Sequence, residues 1–173
     1  LYERSMTLHT IAGINKGSKL TDFVEYFLVS YVYYGLDSLV LSLKAVQHYL
    51  KEVNKVDVEI QEYDNIVEVI NDLIVWLGDD ADFLIKVREQ LMTSTNADQT
   101  REILMQSGYV SKERKQLCLV GMFLTELDGE GAEEEIVKAR AMNVSEAEMA
   151  DLGYIIILTA GIPSWFELSD HLE

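Results

Sequence analysis

The chain has 173 residues, 49% of them hydrophobic, and 30 Asp and Glu against 14 Lys and Arg give it a formal net charge of -16. That length and apolar content can fill a proper core, while the negative field repels nucleic-acid phosphates and anionic lipid heads and attracts divalent cations or basic protein surfaces. The single cysteine, Cys118, excludes an internal disulfide, a two-cysteine redox pair and a multi-cysteine zinc site, and suits a reducing, cytoplasmic setting.

One proline in the whole chain, with Leu, Ile, Val, Glu and Lys abundant, favours helices over a turn-rich β architecture. The expected fold class is therefore all-α: a bundle of about eight to ten helices in a single domain over residues 1–173. Residues 21–34 carry apolar side chains on nearly every face and stop at Gly35, which predicts a core helix. Asp37 is placed to cap the next helix, where Leu39, Leu43, Val46 and Leu50 recur at three and four. The apolar stretch over residues 26–43 is interrupted by Ser30, Gly35, Asp37, Ser38 and Ser42, so no membrane span is expected, and no signal-type segment opens the sequence. Residues 64–76 repeat the helical pattern with Ile66, Val69, Ile70, Leu73 and Ile74 up to Gly78, and residues 79–92 predict a helix with an acidic first turn.

The polar stretch over residues 93–100 reads as a hinge between two halves. Beyond it, residues 100–106 predict a short helix closed by Gly108, and Ser111 caps a long segment whose Leu117, Val120, Phe123 and Leu124 face inward. A helix is predicted over 133–142. Ser145 and Glu148 form a capping-box signature for the helix through Ile155, Ile156, Ile157 and Leu158 to Gly161, with Pro163 beyond the stop. Ser164 and Glu167 repeat that signature for a last helix. An offset of 91 residues aligns Leu36-Asp37 with Leu127-Asp128, and halves at 20–93 and 100–171 are compatible with either a diverged duplication or the general likeness of amphipathic helices.

The densest chemistry lies in DGEGAEEE, residues 128–135. Asp128, Glu130 and Glu135 stand at its first, third and eighth positions, and Gly129 and Gly131 would let the backbone take positive φ and bring oxygens towards one hard cation. It is not an EF-hand loop, because Ala132 and Glu133 occupy the fifth and sixth positions. The competing reading is a solvated helix start, where Glu133, Glu134 and Glu135 each gain about 0.3–1 kcal/mol from the helix dipole. Elsewhere, Cys118 reads as a packed small hydrophobe, and His9, His48 and His171 lack metal-ligand spacing. Tyr26, Phe27, Tyr31, Tyr33 and Tyr34 read as core or interface, and Trp165-Phe166 as core packing or an exposed docking patch. No glycine-rich phosphate loop and no Ser-His-Asp set is legible.

An apolar helix ending in LDGE at 127–130, acidic residues at Glu133 to Glu135, and VSEAEM at 144–149 together resemble the core motif of the tellurite-resistance TerB family, over residues 111–161. The resemblance implies an all-helical fold, halves paired around acidic turns, and divalent metal on those acidic residues. The chain departs from the pattern at Ala132, where a capping serine is common, and at Ser38 and Leu39, where the first half lacks the glycine and glutamate. Residues 115–163, with AGIP near their end, are also similar in helix spacing to the alkylhydroperoxidase and carboxymuconolactone decarboxylase superfamily. The peroxidase chemistry does not carry over: the general-base glutamate falls on Gln116, the two cysteines on Asp128 and Gly131, and the histidine on Glu135.

The expected function is a cytoplasmic, non-enzymatic, TerB-like stress-response protein. It would bind calcium, zinc or manganese through Asp128, Glu130 and Glu135, use no organic cofactor, and act as an interaction module for a basic protein surface, with self-association compatible with its aromatic runs. The alternative is a small-molecule lyase or isomerase using Asp128 and Glu135 as acid and base in a partly buried pocket.

Overall fold

A computed structural model of the chain describes residues 2–172, which form ten α-helices and one short 3-10 turn, with no strand among the described residues. The all-α expectation is met. The helices divide into two compact units, the first ending at Val110 and the second beginning at Ser111.

The first unit holds α1 (Tyr2–Asn15), α2 (Leu20–Tyr34), α3 (Leu36–Glu52), α4 (Ile66–Leu77), α5 (Asp82–Leu91) and α6 (Ala97–Met105). α3 packs on α1 and α2, α4 packs on α5, and α6 packs on both α2 and α5. The spacing of three and four brings Leu39, Leu43, Val46, Ile70, Leu73 and Leu84 into one buried cluster with Val24 and Leu28 of α2. α1 carries no such stripe: Thr10 is its one buried side chain among those described, and Gly13 allows the Phe23 ring an approach that a Cβ, 2.4 Å from its tip, would block.

Several predicted helix ends move. Asp37 does not cap α3, because Gly35, at φ 78°, turns the chain so sharply that the helix has already begun at Leu36. α4 begins at Ile66 and not at residue 64, capped by Asn65, whose side chain accepts from the Glu68 amide at 3.1 Å. The polar stretch at 93–100 does not divide the units, since α6 starts within it at Ala97, capped by Asn96, and buries Leu104 with the first cluster. The chain stays bound to this unit as far as Val110, whose amide donates to the buried Glu25 carboxylate at 2.8 Å.

The second unit is α7 (Lys112–Thr125), α8 (Gly129–Ala141), α9 (Glu146–Ala160) and α10 (Ile162–Ser169). α7 packs on the other three around Val120, Leu124, Ile136, Met149, Ile156 and Leu168. Ser111 caps α7, and Ser145 with Glu148 closes the capping box of α9: Ser145 N–H donates to Glu148 Oε2 at 2.9 Å and Glu148 N–H to Ser145 Oγ at 3.3 Å. The last helix departs from expectation. Gly161, at φ 91°, ends α9 and also serves as the N-cap of α10, so Pro163 lies inside the first turn and Ser164 is buried within the helix instead of capping it. Proline suits that turn because the amide it lacks would have had no helical acceptor there.

Candidate functional site

The acidic turn is built differently from the glycine-bent loop that its sequence suggests. Leu127, at φ 59°, is the residue that reverses the chain after α7, and Asp128 N–H donates to Phe123 O at 3.0 Å. Asp128 then caps α8, its Oδ1 accepting from Gly131 N–H at 3.0 Å while its carbonyl accepts from Ala132 N–H at 2.9 Å. The helix begins at Gly129, four residues before Glu133, so the expectation that Gly129 and Gly131 take positive φ is corrected: both are helical.

These glycines instead make room for neighbours. A Cβ on Gly131 would stand 2.3 Å from the Phe123 ring, and one on Gly129 would stand 2.3 Å from Glu167 Oε2 of α10. Winding 129–135 into a helix behind the Asp128 cap spreads the carboxylates of Glu130, Glu133, Glu134 and Glu135 around the axis at about 100° per residue. Asp128, Glu130, Glu133 and Glu134 are exposed, whereas Glu135 turns inward and is only 2% exposed. Asp128 and Glu130 therefore share the start of α8, and Glu135 lies more than a turn further on, facing the core. Among the described residues no group of three or more His, Cys, Asp or Glu side chains is arranged to hold a metal ion.

Glu135 belongs to a buried polar group. Its Oε2 accepts from Gln116 Nε2 at 2.7 Å, its Oε1 accepts from Lys138 Nζ at 2.7 Å, and Gln116 Nε2 also reaches the Glu135 carbonyl at 3.0 Å. Beside Gln116 on α7, Lys115 is fully buried. A carboxylate out of water is tolerable only when its oxygens are occupied in this way. Sequence reasoning passes over Lys115 because KERK looks like a solvated charge run. The available signal was spacing, since Lys115 is four residues before the buried Leu119. Cys118 is half-buried on α7 and not among the fully packed core residues, and desolvation pushes its pKa up to about 12. His9 and His48 are exposed and His171 half-buried, on α1, on α3 and beyond α10.

The remaining feature of the second unit is apolar. The run Tyr154 to Leu158 is hydrophobic on every side of α9, yet only one side is covered, by α7 and α10. Tyr154, Ile155 and Leu158 are left 62%, 59% and 86% exposed, and Ile162 and Phe166, one turn apart on α10, are 60% and 61% exposed. Trp165 and Phe166 separate: Trp165 is half-buried and stacks on Tyr154 with ring centroids 5.7 Å apart, while Phe166 points to solvent. Gly153 permits that stack, because a Cβ there would stand 2.4 Å from Trp165. The Tyr154–Trp165 stack ties the open faces of α9 and α10 into one surface around the Gly161 elbow.

The class defined so far is an all-helical protein with an open apolar face on an acidic background. Among the described residues no helix is long and apolar enough to cross a membrane. No family model, no curated protein and no solved structure matches the chain.

Proposed function

We propose that this chain is a non-enzymatic interaction module whose working surface is the open face of α9 and α10. One observation carries the reading: the second half of α9, from Tyr154 to Leu158, is hydrophobic all round, as helices buried on all sides are, but the fold covers only one of its sides. Contiguous apolar faces of this kind mark contact sites more often than they occur idly on a protein surface. Full burial of a large apolar side chain stabilises by about 1.5–3 kcal/mol, so five partly exposed ones offer on the order of 5–10 kcal/mol. Association costs about 4–15 kcal/mol in lost freedom. The face alone therefore supports reversible contact, and tight binding needs further polar complementarity.

The acid-base alternative draws less support, because Asp128 is exposed and both oxygens of Glu135 are already engaged by Gln116 and Lys138. A photo-crosslinking residue placed at position 158 in cells tests the proposal, with position 133 on the exposed acidic side of α8 as control. Discrete protein adducts are expected at 158 and not at 133. No adduct at 154, 158 or 166 retires the reading.

A further inference from the structure

We infer that the partner segment received by the α9–α10 face is a basic amphipathic helix of another protein, an inference that rests on the interaction-module reading above. The open side of α9 is a single stripe at helical spacing, Glu148, Asp151, Ile155 and Leu158, with Tyr154 beside it. Its first half is acidic and its second half apolar. On the exposed side of α10 the order reverses, Ile162 and Phe166 being followed four residues later by Asp170. The surface is thus apolar around the Gly161 elbow and acidic at both far ends.

From Ala141 to the end the sequence has six acidic residues and no Lys or Arg. A second copy docking through the same face would set acid against acid at Asp151 and Asp170, and Arg114 of α7 is already beside this protein's own Glu148. An anionic lipid surface meets the same repulsion. A helix with an apolar stripe and Lys or Arg at its ends satisfies both halves of the pattern, burying the elbow residues and pairing with Asp151 and Asp170, while Glu148, its Oε2 held by Ser145, adds to the negative field at that end.

The test selects binders from a phage-displayed library of random 16-residue peptides against the full chain. Enriched sequences are expected to be amphipathic at helical spacing with net positive charge. A synthetic copy of one should bind at least ~10-fold more weakly to Leu158→Asp and to Phe166→Ser, and more weakly in high salt, as screening of charge pairs requires. Circular dichroism confirms that both variants are folded, which their exposed positions favour. Failure to enrich, enrichment of neutral or acidic peptides, or binding that Leu158→Asp leaves unchanged overturns the inference. So does a concentration-dependent dimer in sedimentation that Leu158→Asp abolishes, or co-flotation with phosphatidylcholine or phosphatidylglycerol vesicles. Crosslinks at position 158 without basic peptides in the selection sink only the partner chemistry; an absence of crosslinks sinks the reading beneath it as well.

Discussion

Asp128 shows how one side chain can look like a ligand and serve as a cap. Its Oδ1 is committed to Gly131 N–H at the start of α8, and loss of such a cap costs about 1 kcal/mol. Asp128→Ala is therefore expected to lower the urea unfolding free energy by about that amount, whereas Asp128→Asn, which caps equally well, should leave it nearly unchanged. A destabilised Asn variant, seen only in calcium-containing buffer, would instead assign the carboxylate to a cation. Tyr63 supplies a second residue-scale test. Burial first, and then its 2.7 Å hydrogen bond to Asp72, raise its pKa from 10.0 to about 12. The folded pKa lies above the unfolded one, so this contribution to stability is complete below pH 10 and is lost as pH rises towards 12. Tyr63→Phe should flatten that part of the pH–stability curve, and the ultraviolet absorbance of tyrosinate in the native protein should rise later for the wild type than for the unfolded chain.

At the level of the helix, propensity and packing predict opposite signs for the same substitution. Alanine in place of a helical glycine gains about 1 kcal/mol on propensity alone. At Gly153 the added Cβ would stand 2.4 Å from Trp165 and 2.8 Å from Leu168, and overpacking of that kind costs about 1–3 kcal/mol. Gly153→Ala is expected to destabilise the protein and to shift Trp165 fluorescence as the Tyr154 stack is disturbed; a stabilised variant with unchanged fluorescence would show that the ring yields freely. Helix ends were the least legible part of the sequence. Ser111 and the Ser145–Glu148 box are legible in the sequence because a cap is local: a side chain, an amide three residues on, and nothing else. Asp37 and Ser164 look like caps but are not, because glycines upstream, at 35 and 161, have already turned the chain into the helix, and backbone φ at those glycines overrides an available capping oxygen.

For the whole molecule, charge is the term that acts everywhere. With -16 formal charge, and -8 of it in residues 111–173 from thirteen acidic and five basic side chains, like-charge repulsion opposes the compact state. Added salt should therefore raise the thermal midpoint as the screening length falls to about 10 Å near 0.1 M; a midpoint that falls with salt would mean that ion pairs such as Arg140–Glu146 outweigh the repulsion. The all-helical class, most buried positions of α3 and α4, and the acidic character were determined by the sequence alone, because hydrophobic period and net charge are sums over local composition. Only the tertiary structure decided which acidic residues meet. Asp128, Glu130 and Glu135 are neighbours in the chain, but a helix that starts at Gly129 carries them to different sides, and burial then gives Glu135 to Gln116 and Lys138. It also decided which face of the apolar second half of α9, residues 154–158, is covered, since a run hydrophobic on every side states that burial is wanted without saying what supplies it.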